Sequence, residues 1–165
     1  YSPPGCLRLL SPSRDDDLPI LPRDVRKALT ISHLNQVIPD PATPASPPAH
    51  IFGAEPEHGW CYYYQKADLA RQTGNWEQVV ALGEEAFSKG FEPAEPSEYM
   101  LFVEGYARAG RWQPAADMAV KTDQLAHSLQ SPLCRLLTRV EAKTSPQGAD
   151  AQALAGAREQ IECPQ

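Results

Sequence analysis

The chain has 165 residues, a net charge of −6 and 42% hydrophobic residues, and it contains no run of 18 apolar positions. That length fits one compact domain, or a small domain with an arm, and excludes a membrane-spanning helix within this stretch. Charge divides as −2 over residues 1–59, −4 over 60–127 and 0 over 128–165; the lack of a basic stripe argues against a nucleic-acid partner. Eleven of the 17 prolines precede residue 57, whereas 11 of the 13 aromatics lie between Trp60 and Trp112. A core in the middle and an extended first third are therefore expected. The chain starts at Tyr1 with neither Met nor a leader pattern, so a piece of a longer protein or a processed chain is expected.

In chain order, residues 1–21 hold the short apolar run Cys6-Leu7-Arg8-Leu9-Leu10, read as an extended segment. The triplet Asp15-Asp16-Asp17 follows. It lacks the spaced ligands of a calcium loop and reads as a solvated turn. A helix is predicted over 22–38: Pro22 suits a first turn, Asp24 favours the N-terminal dipole, and Val25, Ala28, Leu29, Leu34, Val37 and Ile38 recur at helical spacing. Pro39 and Pro41 end it. Residues 39–49 carry five prolines in eleven positions, a polyproline-II-like spacer. Residues 50–59 form an irregular lead-in in which Ile51 and Phe52 are expected to pack. The whole of 1–59 is thus an arm with one helix and a linker.

Residues 60–165 read as a helical domain of three hairpins. Helices are predicted over 60–73 and 76–89, over 98–109 and 112–127, and over 132–143 and 147–162. Gly74, Gly90 and Gly110 punctuate them as left-handed stops, Ser97 is expected to cap the third, and Pro114 and Pro132 fall in first turns.

The two central hairpins are self-similar. Gly74 and Gly110 lie 36 residues apart, as do Trp76 and Trp112, and such a period with two helices per unit means a helical-hairpin solenoid. Here the sequence resembles the tetratricopeptide repeat family. In that family a glycine ends the first helix, an aromatic opens the second, and a small residue follows three on; Gly74, Trp76 and Val79 match, as do Gly110, Trp112 and Ala115. Ala86 and Thr122 fit the later small position, and Tyr63, Tyr99 and Tyr106 the aromatic positions of the first helices. The small residue of the first helix is Ala67 in one unit but Val103 in the other, and the third hairpin matches poorly. The resemblance implies an all-α, right-handed solenoid of antiparallel hairpins whose inner face forms a groove for extended peptides. That face would carry Tyr64, Asp68 and Arg71 from one unit and Met100, Glu104 and Arg108 from the next. The competing reading is a solvated wall partly filled by residues 39–59.

The cysteines, at 6, 61, 134 and 163, have no CxxC spacing, so metal and redox sites are not expected. An even count at long separations favours two disulfides and an oxidising compartment, against four buried thiols. Four cysteines allow three connectivities; because the start of one helix of an antiparallel hairpin lies beside the end of the next, Cys134 with Cys163 is the favoured pair, leaving Cys6 for Cys61. His58 stands three residues before Cys61, but a Cys/His nucleophile pair would need an orienting acid that cannot be identified. His33, His50 and His127 are isolated, and Glu84-Glu85 sits on an exposed helix face. No catalytic residue, metal or cofactor is expected.

The arm CLRLLSPSRDDDLP, with its Pro-rich lead and HGWCYYYQKADLA, also resembles the extracytoplasmic C-terminal tails of bacterial polytopic membrane proteins similar to dolichyl-phosphate-mannose mannosyltransferases. Two functions are therefore carried forward. One is a non-catalytic interaction or scaffold module that binds a peptide or protein segment. The other is an extracytoplasmic accessory domain of a membrane glycosyltransferase, tethered to its membrane-embedded parent and contacting glycan or acceptor protein. An extracytoplasmic location is expected in both, with a cytoplasmic scaffold as the alternative; the oligomeric state is left open.

Overall fold

Apolar positions that recur every three to four residues produce helices along the chain, and among the described residues there is no strand. The computed structural model describes residues 5–33, 36, 48–55 and 57–164. Among the described residues of the first third there are three short α-helices: α1 (Pro12–Asp15), α2 (Arg23–Ala28) and α3 (Ala49–Phe52). Six longer ones follow: α4 (Trp60–Gln72), α5 (Trp76–Ser88), α6 (Tyr99–Arg108), α7 (Trp112–Leu125), α8 (Gln130–Thr144) and α9 (Ala149–Gln160). None of the described helices is long and apolar enough to cross a membrane.

The helix expected over 22–38 is shorter. After Ala28 the backbone tightens into a 3₁₀ turn, Leu29–Ile31, and Ser32 is extended at φ −70° and ψ 126°. Packing explains the early stop. Of the described apolar positions in the stripe only Leu29 is buried, and a short helix without a covered face has little to hold it. Leu34, Val37 and Ile38 lie outside the described residues, as does the proline-rich stretch 39–47. Beyond it Pro48 is extended, and residues 49–52, expected to be irregular from His50 on, form one helical turn. Ile51 and Phe52 do not pack, being 66% and 71% exposed. The acidic triplet is not wholly solvated either: Asp15 is buried and closes a turn by accepting the Ser11 backbone N–H at 2.7 Å.

In the helical domain the predicted helices are found with small shifts at their ends. The turns after α4 and α6 share one hydrogen-bond pattern at an offset of 36 residues. Gly74 N–H donates to Arg71 and Asn75 N–H to Ala70, while Gly110 N–H donates to Ala107 and Arg111 N–H to Tyr106, all at 2.8–3.2 Å. Both glycines sit at φ +73°, a left-handed value that costs a Cβ-bearing residue energy. Asn75 caps α5 by accepting the Gln78 N–H. Ser97 does not cap α6 with its side chain; it lies in a 3₁₀ turn, Pro96–Glu98, whose Glu95 carboxylate accepts the Ser97 N–H.

Packing centres on α6, whose residues from Tyr99 to Ala107 are all buried. It contacts α5, α7 and α8, while α4 packs on α5 and α9 on α7. The α5–α6 contact is close and reciprocal. A Cβ on Gly83 would fall 2.6 Å from the Phe102 ring, and one on Gly105 would fall 2.5 Å from Val79. Trp60, Phe87, Tyr99 and Phe102 form one aromatic cluster with ring centroids 5.5–6.3 Å apart. Burying each such ring contributes roughly 2–3 kcal/mol.

Two disulfides close the fold. Cys134–Cys163 ties the first half of α8 to the residues just after α9, and Cys6–Cys61 ties the arm to the first turn of α4. Such bonds form and persist in oxidising compartments.

Candidate functional site

The inner-face residues singled out from the sequence are placed together but not open. Tyr64, Asp68, Arg71, Met100 and Glu104 are all buried, and the arm lies over the first three. Among the described residues the covering segment is Gly5–Leu18; of the competing 39–59 stretch, residues 39–47 and 56 lie outside the described residues. Arg108 stands apart: its guanidinium stacks on the Trp76 ring at 4.9 Å, toward α5.

The arm is held by its main chain. Cys6 N–H donates to Glu98 Oε1 at 2.6 Å, and Leu9 N–H donates to Asp68 Oδ2 at 2.8 Å. The Leu9 carbonyl accepts from Arg71 Nη2 at 3.4 Å. Successive side chains of an extended segment point to opposite sides, so Cys6, Arg8 and Leu10 face inward and are buried. Leu7, on the other side, is 51% exposed. The inward cation enters a polar pocket. Arg8, only 4% exposed, donates to Ser97 Oγ at 3.0 Å, lies 3.9 Å from Glu98 Oε1, and sits 5.7 Å from the centre of the Tyr64 ring. Glu98 is fully buried and also accepts the Trp60 Nε1–H at 2.6 Å. Gly5 is required beside it, because a Cβ there would come within 2.2 Å of Glu98 Oε1 and 2.9 Å of Glu95 Cβ.

A second cluster extends the first. Asp68 pairs with Arg71 at 2.5 Å, Glu104 lies 3.8 Å from Arg139, and Arg14 reaches Gln72 at 3.4 Å. Asp17 of the arm pairs with Arg135 on α8. Burial opposes the charge on Arg71, but Asp68, Asp15, Tyr64 and Glu104 outweigh it and hold the guanidinium above its ordinary value. Burial pushes the Tyr64 hydroxyl up, with Asp68 and Glu98 adding to the effect. Asp15 is raised by burial and by Asp68, against the pull of Arg71 and the Ser11 N–H. Arg14 is lowered by burial and by Arg71. Opposite charges therefore face one another across the arm and wall, Arg8 toward Glu98 and Asp17 toward Arg135, while the Nε atoms of Arg8 and Arg71 are buried without a hydrogen-bond partner among the described residues.

The other candidate residues are dispersed. Cys61 is bonded to Cys6 and has no thiol to act as a nucleophile. Its neighbour His58 pairs with Glu55 at 2.9 Å and stacks on Tyr62. Glu84 and Glu85 turn to separate cations, Arg111 and Lys89. Pairing draws the Glu85 carboxyl below its usual range, chiefly through Lys89 and Tyr63. His127 meets Asp123 at the surface. Among the described residues no three His, Cys, Asp or Glu side chains converge as a metal site. Comparison with known proteins gives no matching family model, no matching curated relative and no matching solved structure.

Sequence reasoning missed Arg8, Ser97 and Glu98. One signal was present: the period-2 pattern around Cys6 puts Arg8 on the same side as the cysteine, so a disulfide at Cys6 carries the cation inward.

Proposed function

We propose that the chain is a non-catalytic interaction module that grips an extended polypeptide on the inner face of a tetratricopeptide-like helical stack. The observation that carries this reading is the arm itself. Buried Asp68, Glu98 and Arg71 bond its main chain, and main-chain bonding to an extended segment, with a pocket for alternate side chains, is how such peptides are recognised. The 36-residue equivalence of the two helix-ending turns supports the repeat reading. In this chain the bound segment is supplied in cis.

A site-specific protease sequence placed within residues 39–47, cleaved in the folded chain and followed by reduction, tests this. The freed arm should remain bound, exchange with excess arm peptide, and leave α4–α9 helical. Loss of the arm only together with unfolding of the helices would make it a plain structural element and refute the proposal.

A second reading has its own support. Two disulfides suit an oxidising location, and the resemblance of the arm to extracytoplasmic tails fits it. On that reading the module is an accessory domain of a membrane glycosyltransferase, and Cys6–Cys61 fixes its orientation to the chain before it. Co-purification with a polytopic parent in detergent checks this; an export-deficient, fully reduced cytoplasmic chain would contradict it.

A further inference from the structure

The pocket that receives Arg8 has a chemistry of its own. Ser97 supplies a neutral acceptor, Glu98 a fully buried carboxylate, and Tyr64 an aromatic face, each from a different position around one guanidinium. A planar fork with several donors can satisfy acceptor, anion and ring together, which a compact ammonium cannot. The pocket lies between two main-chain anchors, the Cys6 N–H on Glu98 and the Leu9 N–H on Asp68. The buried leucines that fasten the arm to the core, Leu10, Leu18 and Leu21, all come after this stretch. Residues Gly5–Leu9 are thus held by two amides, one carbonyl, one side chain and one disulfide, with Leu7 turned outward. Of the two bonded cysteines, Cys61 is exposed and Cys6 is buried.

Resting on the peptide-gripping reading, we propose that Tyr64, Ser97 and Glu98 form an arginine-reading subsite and that Gly5–Leu9 is its built-in occupant. The partner is then an extended peptide with an arginine placed between two main-chain anchors. Such a peptide enters when Gly5–Leu9 peels back, while Leu10 and the residues after it stay docked. The arm is both the template of the ligand and its competitor.

The test uses the full chain with Gly5→Val, Cys6→Ser and Cys61→Ser. The valine drives the segment off Glu98 and the serines remove its tether, without altering the pocket residues. The probe is the pentapeptide acetyl-Gly-Ser-Leu-Arg-Leu-amide, matching the displaced residues 5–9, followed by the Trp60 indole N–H resonance, because that proton bonds Glu98. The expected result is a saturable shift in the substituted chain and none in the parent. Binding should be at least about tenfold weaker when the peptide arginine is replaced by alanine, with lysine also weaker. Equal binding of the three peptides would overturn the arginine reading while leaving peptide gripping intact; no binding by any of them would overturn both. Should the substituted chain fail to fold, the full chain with Arg8→Ala is titrated with n-propylguanidinium. A saturable indole shift, absent from the parent and weaker with n-butylammonium, supports the subsite, and no shift or an equal one overturns it.

Discussion

Replacing Glu98 by glutamine is the most direct perturbation of the seam between arm and helices. The carboxylate is fully buried, accepts the Cys6 and Trp60 N–H groups at 2.6 Å each, and stands 3.9 Å from the Arg8 guanidinium. Glu98→Gln keeps the shape but offers one oxygen where two were used. Its amide N–H₂ would face the remaining donor, and an unsatisfied buried N–H costs about 1–3 kcal/mol. Arg8 also loses its counter-charge while remaining buried. Breaking one side of a buried pair costs about 3–5 kcal/mol in all. For a chain of this size that is a fall in Tm of roughly 10 °C. Urea unfolding followed by helical circular dichroism and tryptophan fluorescence measures it. Adding Arg8→Met to Glu98→Gln should recover part of the loss, because the orphaned cation is then gone. A cost below about 1 kcal/mol, of the order seen for exposed pairs, would refute the claim that the arm is held by a buried network.

Other consequences follow from the same geometry. Closing loops with separations of 55 and 29 residues, the Cys6–Cys61 and Cys134–Cys163 bonds should contribute about 4 and about 3.5 kcal/mol, measured by unfolding of the paired Cys→Ser variants. If removing the shorter loop costs more than removing the longer one, the entropic account fails. Gly105→Ala should destabilise by about 1–2 kcal/mol: overpacking against Val79 outweighs the gain of about 1 kcal/mol in helix propensity, and a net stabilisation would show that α5 and α6 are not in close contact. Asp15 has its folded pKa raised, so the folded state holds the extra proton and stability falls as pH rises from the ordinary aspartate range through the folded value. Asp15→Asn should therefore gain on the parent as pH rises through that window; the opposite trend in paired melts would contradict the burial of this carboxylate.

The hairpins could be read from the sequence because their determinants are local. Gly74 and Gly110 take a backbone angle that other residues resist, and that steric fact shows in any sequence. The apolar stripes of α4 to α7 have partners to pack on, so periodicity became structure. The same periodicity over 22–38 did not, since only Leu29 among the described positions found a covering surface. Ile51 and Phe52 show the same limit, being apolar yet exposed. The seating of the arm on α4 and the Pro96–Glu98 turn was illegible for another reason. Arg8 and Glu98 are 90 positions apart, and nothing near either residue announces a buried pair across that distance. Asp68 and Arg71 were placed on the inner face through the repeat resemblance, but their first-line partner, the main chain of Leu9, carries no sequence signal at all.

The central claim is that residues 6–9 are seated against Glu98 and Asp68 through their own amides. Hydrogen exchange of the oxidised full chain, resolved at the Cys6 and Leu9 amides, addresses it directly. Those two amides should exchange at least about a hundredfold more slowly than unstructured amides, while the amide of the half-exposed Leu7, for which no acceptor is identified, exchanges faster than both. Exchange of Cys6 and Leu9 at free-peptide rates, with α4–α9 still protected, would contradict it.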